Sequence, residues 1–357
     1  MPIVSRPWWA AAAQAVAAAW SVVYLALGVA WLAGAPGNPA DPAVDEAAAG
    51  LSLLGTWGPR TGAVVITSLA ALGVVLVGVL ALLPPARGPI GLRRLPVALA
   101  GVLGLLLAVV LPDYRLLAEI GYTPIVLVLA VAGALPAGTQ VWPWPVVNMA
   151  VLTLGGLAWL VTAAVHNRRI SGACPRCGRG PADPDWSRPE SAARWGRWAV
   201  DIAVAVPLGY ATTRYAWALG IPLGVRQQLL DDLGTAVYAG AALATLAVAG
   251  AVLTLGLVQS WGEAFPRWIP WLRGRPVPIA LAVVPAGLVS IVLASAGLMF
   301  VRLGITGELA ENLPGTSDDV AGWLPEMFWP LWAVALAAAT YAYWLRRRGH
   351  CSDCGRG

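Results

Sequence analysis

Long uninterrupted apolar runs constrain this chain more than any other feature. Gly62–Leu83 and Val277–Val301 contain no charged residue. Each is as long as the roughly 20 residues that cross the hydrocarbon core of a bilayer. Lipid offers no partner to a peptide N–H or C=O, so such runs must satisfy their backbone internally, and a helix does so within one segment. Composition agrees. The 357 residues are 59% hydrophobic and only 11% charged, against about 25% charged in a soluble domain, and mean hydropathy is +0.71. The expected fold class is an all-α integral membrane protein.

Eight spans are expected: 9–34, 62–83, 95–111, 146–165, 199–221, 235–259, 277–301 and 322–345. Every basic residue is arginine, and the arginines alternate between loops. Arg6, Arg87, Arg93, Arg94, Arg168, Arg169, Arg267, Arg273, Arg275 and Arg346 to Arg348 fall on one side, while Asp41, Asp45, Glu46, Asp231, Asp232, Glu308, Glu311, Asp318 and Asp319 fall on the other. The positive-inside rule then places both termini in the cytoplasm of a multi-pass plasma-membrane protein. The opening MPIVSRPWW reads as the entry to the first span and not as a cleavable signal. The net charge of +5 does not point to nucleic acid, because the arginines flank spans. Most of the 19 Trp lie near span ends, where an amphipathic ring suits the headgroup region. Thr123 to Gly138 is apolar but short before its Pro and Gly. It is expected to be a non-spanning outer segment, because a crossing there would move every later arginine loop outside.

The order of features repeats. YLALGVAWLAG (Tyr24 to Gly34) is matched by RYAWALGIPLG (Arg214 to Gly224), RRLPVAL by RPVPIAL, and Trp144-Pro145 by Trp329-Pro330. The expected organisation is two parallel four-helix repeats: 1–180 and 198–357, each ending in a cysteine knuckle, joined by a cytoplasmic linker, 181–197. A four-span unit returns to its starting side, so the repeats share an axis along the membrane normal. In the linker, Ser187 and Glu190 have capping-box spacing. Either a surface amphipathic helix or an extension of the fifth span is expected there.

The chain has four cysteines, in HNRRISGACPRCGRG (His166 to Gly180) and WLRRRGHCSDCGRG (Trp344 to Gly357). Each half thus ends in Cys-x-x-Cys-Gly-Arg-Gly on the cytoplasmic side. Two such knuckles supply four thiolates, the ligand set of a closed tetrahedral zinc site. Cys174, Cys177, Cys351 and Cys354 are therefore the expected ligands of one structural zinc clamping the repeats, with the neighbouring arginines favouring thiolate. His350 could replace one thiolate. A redox role competes with the metal, but both pairs follow the C-terminal end of a span, where the helix dipole disfavours thiolate.

Arg115, Arg214 and Arg302 stand on the arginine-poor side, with Tyr114 and Tyr215 beside them. Ionisable groups within spans are functional candidates. They are expected either to line a pocket for an anionic small molecule or lipid headgroup, or to pair with Asp113, Glu119, Asp231 or Glu308. Asn148 is expected to make an interhelical hydrogen bond. The chain holds no P-loop, no HExxH, no GxSxG and no GxGxxG after a strand. The expected function is non-enzymatic binding or transport of a lipid or small anion. A membrane thiol-disulfide oxidoreductase and an accessory subunit with a membrane-protein partner are the alternatives.

WSVVYLALGVAWLAG, LPDYRLL, RWGRWAV, LTLGLVQSWGEAFPRWIPWL, SAGLMFVRL and the CxxCGRG ending resemble an actinobacterial family of duplicated, tryptophan-rich integral membrane proteins. The resemblance implies a membrane location but no activity and no catalytic residues. The knuckles separately resemble the halves of a zinc ribbon.

Overall fold

A computed structural model describes residues 7–82, 90–135, 138–180 and 184–356. Arg6 and Arg87, used above for orientation, lie outside the described residues, as do 136–137 of the short apolar segment and 181–183 of the linker. Among the described residues the chain is helical, and its one β contact is an isolated bridge between Ala264 and Pro276. The long helices are α1 (Trp8–Leu32), α2 (Pro59–Leu82), α3 (Ile90–Leu105, continued by a π turn at Leu106–Val110), α4 (Tyr114–Val131), α5 (Trp144–Ile170), α6 (Pro189–Ala218), α7 (Ala236–Leu255), α8 (Ile279–Thr306) and α9 (Trp329–Arg347).

Seven helices among the described residues are long and apolar enough to cross a membrane: α1, α2, α3, α4, α5, α7 and α8. Six match expected spans. α6 and α9 are helices where spans were expected, but their polar residues keep them out of that set. α6 carries Glu190, Arg194, Arg197, Asp201 and Arg214, and α9 ends on two arginines. α4 joins the set because it begins at Tyr114 and not at Thr123, and so gains length. Pro124 lies inside α4 and does not end it, which corrects the reading of a short segment starting there.

The chain divides into two compact units. Unit 1 is Met1–Asp113, Trp142–Asp183 and Arg348–Gly357; unit 2 is Tyr114–Val141 and Pro184–Arg347. They depart from simple sequence halves in two places. α4 belongs with unit 2, and the closing segment with its cysteines belongs with unit 1.

In unit 1, α1 packs on α2 and α5, and α3 packs on α5. The core gathers Trp20, Tyr24, Leu103, Leu107 and the fully buried Trp159. Small residues let α3 and α5 approach closely: a Cβ at Gly156 would stand 2.6 Å from the backbone nitrogen of Ala108. Such contact substitutes for a hydrophobic drive that lipid does not supply. In unit 2, α6 packs on α7 and α9, α8 packs on α9, and α4 lies against α8. Its core holds Ala203, Leu293, Trp332, Leu336 and the fully buried Tyr343.

Residues 189–197 of the linker are the first turns of α6 and not a separate helix. α6 runs unbroken from Pro189, with Pro at its first turn, the position where a missing N–H costs nothing. The capping box does not form, because the Ser187 hydroxyl donates to the carbonyl of Pro184 at 2.8 Å.

Candidate metal centre

All four cysteines meet within unit 1, their sulfur atoms lying within 4.8 Å of one another. Cys174 Sγ is 3.9 Å from Cys351 Sγ, and Cys177 Sγ is 3.6 Å from Cys354 Sγ. Four sulfurs placed tetrahedrally about a zinc at its usual bond length would stand roughly 3.8 Å apart. The donor set therefore fits a zinc site with four cysteine ligands. His350 is exposed and is not one of the clustered groups.

The two knuckles have one backbone geometry. Cys174 N donates to Arg179 O at 2.9 Å and Gly178 N to Cys174 O at 2.8 Å; Cys351 N donates to Arg356 O at 3.0 Å and Gly355 N to Cys351 O at 2.8 Å. Gly178 and Gly355 follow the second cysteine at φ 74° and 67°, the left-handed region that glycine enters without a Cβ penalty. That turn aims amides at sulfur. Burial raises the Cys351 thiol, but the amides of Cys354 and Asp353 and the neighbouring thiols hold it down to about 7. Burial pushes Cys177 up to about 12 despite the Arg179 amide, and the adjacent thiols add to that rise. Four thiols this close resist losing all their protons unless a cation balances the charge.

The arginines of the motif do something the sequence did not disclose. Arg179 is buried and donates to three carbonyls of the closing segment: Arg348 O at 2.8 Å, Gly349 O at 2.9 Å and Arg356 O at 2.8 Å. Arg356 donates back to Arg179 O at 3.1 Å. Arg176 pairs with Asp353 at 2.9 Å, and Arg168 caps Pro175 O at 3.0 Å. The Arg179 and Arg356 guanidinium groups thus bond main-chain carbonyls across the two knuckles.

The residues expected to form an anion site all belong to unit 2. Arg214 is buried and forms an ion pair with Glu326, itself buried. It also donates to Ala321 O at 2.9 Å, with its guanidinium 4.7 Å from the Tyr210 ring and 4.2 Å from the Trp217 ring. The carboxylate is thus one the sequence reading had not considered. Tyr215 is exposed and bonds the Thr245 hydroxyl at 3.0 Å. Tyr114 packs on Phe300. Arg115 and Arg302 are half-buried, each with an interaction of its own. Nearby, Asp319 is buried and accepts from the Arg226 guanidinium at 2.9 Å and the Arg226 and Thr316 amides, each at 2.8 Å. In unit 1 the Asn148 expectation holds, since the Tyr24 hydroxyl donates to Asn148 Oδ1 at 2.7 Å.

Compared with known proteins, the chain matches no family model, no curated protein and no solved structure.

Proposed function

We propose that the chain is a non-enzymatic plasma-membrane protein built from two like four-helix units, whose paired knuckles bind one structural zinc. The observation that carries this reading is the clustering of the four cysteine sulfurs within 4.8 Å of one another, close to the spacing a tetrahedral zinc needs. Cys174, Cys177, Cys351 and Cys354 would hold the metal as four thiolates. Zinc would supply charge balance and a cross-link between chain segments that lie far apart in sequence. Arg179 and Arg356 would hold the knuckles together in either metal state.

The duplication is supported by matching packing: α1–α2, α1–α5 and α3–α5 in one unit answer α6–α7, α6–α9 and α8–α9 in the other. Matching buried faces support it too. Ala10, Ala17, Ser21, Tyr24, Gly28 and Trp31 of α1 stand at one constant offset from Gly196, Ala203, Pro207, Tyr210, Arg214 and Trp217 of α6, all buried. That register sets Tyr24 against Tyr210 and not against Arg214, one helical turn from the match read in the sequence.

An eight-span arrangement, with α4 packed on unit 2 without crossing, keeps the arginine-rich loops on one side. Four helices separate the two cysteine pairs in sequence. If all four cross, both knuckles reach the same face. The ion pair of Arg214 with Glu326 weighs against the anion-receptor reading, because the guanidinium charge is already balanced. The redox reading draws no support from the sulfur contacts at 3.9 and 3.6 Å, which run between motifs and not within a CxxC. Metal analysis of the purified protein tests the proposal: about one zinc per chain supports it, and metal-free protein with four freely reactive thiols refutes it.

A further inference from the structure

Residues 83–89 join α2 to α3 in unit 1, whereas residues 256–278 join α7 to α8 in unit 2. Helix–helix connections in bundles commonly take about 2–8 residues, and a much longer one is usually functional. The long connection contains a single 3-10 turn, Ser260–Gly262, and otherwise forms a loop.

The base of this loop is clasped. Phe265 N donates to Arg275 O and Gly274 N to Phe265 O, each at 3.0 Å, and Val277 N donates to Glu263 O at 2.9 Å. α9 holds it from the side. The Tyr343 hydroxyl donates to Gly262 O at 2.7 Å, Arg346 pairs with Glu263 at 3.0 Å, and Arg347 donates to Val277 O at 2.9 Å. The arginines at the base are thus used up in holding the loop.

The tip is different. Trp268 is 79% exposed and Trp271 84%, and Arg267, Leu272, Arg273 and Arg275 are exposed too. Among the described residues, none of these three guanidinium groups has a carboxylate or hydrogen-bond partner. No acidic residue lies between Phe265 and Pro276. Three uncompensated positive charges suit an anion, and two bare indoles suit the headgroup region of a bilayer. α7 and α8 are both long and apolar enough to cross a membrane, so the loop that joins them stands at the height of the headgroups.

We propose that this loop is a docking site for anionic phospholipid headgroups of the chain's own bilayer. The guanidinium groups bond phosphate oxygens, and the indoles settle in the interfacial layer beside them. A free phosphate would use the arginines and leave the rings in water. Each basic group near an anionic surface strengthens binding about fivefold, so three give about a hundredfold preference over a zwitterionic lipid. The site is separate from Arg214, whose charge Glu326 already balances. The inference rests on the membrane reading and not on zinc.

Full-length protein in nonionic detergent is mixed with equal amounts of phosphatidylglycerol and phosphatidylcholine, and the lipids that stay bound are counted by native mass spectrometry. The native chain should retain phosphatidylglycerol in preference, and high salt should reduce that preference. The triple variant Arg267→Gln, Arg273→Gln, Arg275→Gln should lose about a hundredfold in phosphatidylglycerol affinity with phosphatidylcholine unchanged, and Arg273→Gln alone about fivefold. Trp268→Ala with Trp271→Ala should weaken both lipids. Unfolding midpoints check the fold of each variant. If the triple variant unfolds early, the single one decides. Excess inorganic phosphate should not displace the lipid. Flotation with vesicles tests the membrane reading separately, and native and variant chains alike should float. Equal retention of the two lipids, an unchanged preference in the arginine variants, displacement by phosphate, or a dimer that the tryptophan variant dissociates would overturn the proposal. A native chain that does not float would refute the membrane reading instead.

Discussion

Arg179 and Arg356 hold each other's backbone: the guanidinium of Arg179 donates to the carbonyl of Arg356 at 2.8 Å, and that of Arg356 returns the bond to the carbonyl of Arg179 at 3.1 Å. Each of those carbonyls also accepts the amide of the first cysteine of its own knuckle. Both lone pairs are used, one within the knuckle and one across the pair. The arginine two residues past the second cysteine thus has a part of its own in each knuckle.

Substituting Arg179 tests that arrangement. Arg179→Ala removes donors from three carbonyls at once, and charge-assisted bonds are worth about 1.5–3 kcal/mol each. We expect a loss of about 2 kcal/mol or more in thermal unfolding, and faster zinc release to a chelator. Arg179→Lys should not rescue, because an ammonium lacks the planar fork that reaches separate carbonyls. Arg356 is exposed, so Arg356→Ala should cost less.

The Arg214–Glu326 pair makes the opposite kind of prediction. Removing one partner strands a buried charge, at a cost of about 3–5 kcal/mol. Arg214→Ala should therefore lower the unfolding midpoint in detergent sharply. The paired substitution Arg214→Met with Glu326→Leu should recover most of the loss, since apolar replacement of a buried pair is often neutral. No recovery in the double variant would assign Arg214 a role beyond pairing.

Asp319 gives a pH dependence. The Arg226 guanidinium, opposed by burial and aided by the amides of Arg226 and Thr316, holds its carboxyl well below the ordinary value of 3.8. A group whose folded pKa is depressed stabilises the fold above its unfolded pKa and loses that contribution as pH falls through that range towards the folded value. Unfolding midpoints of the native chain should therefore drop on acidification below about pH 4, and Asp319→Asn should be less stable near neutrality with a shallower acid slope. Parallel acid slopes in the two proteins would contradict this.

Topology offers a further check. Reporter fusions after Gly180 and after Gly357 should both report the cytoplasm, and an insertion beside Asp41 should report the outside. A fusion at Gly138, after α4, should also report the outside if α4 does not cross. A cytoplasmic signal there would make α4 a true span and reverse the side of everything after it.

The sequence made the membrane class legible because apolar runs without charges have few alternative fates. It made the cysteine cluster legible because four cysteines in two knuckles of one spacing leave little choice of partners. It did not reveal that α4 starts at Tyr114, because Arg115 and Glu119 interrupt the apolar run, and Pro124 reads as a breaker although the helix continues through it. It missed Glu326 as the partner of Arg214, because a pairing between residues 112 positions apart depends on how α6 packs with the segment before α9. In the proposed repeat, the buried faces match Tyr24 to Tyr210 and Trp31 to Trp217, one turn from the alignment of Gly34 with Gly224, because both glycines close a hydrophobic run.

The most direct test of the account is the metal content of the purified full-length protein, measured by elemental analysis beside a thiol titration, for the native chain and for Cys174→Ser and Cys351→Ser. About one zinc per native chain is expected, with thiols that react only after a chelator is added, and loss of the metal in both variants although they alter different knuckles. A native chain without zinc whose four cysteines react freely, or zinc retained when either knuckle is broken, would contradict the shared site.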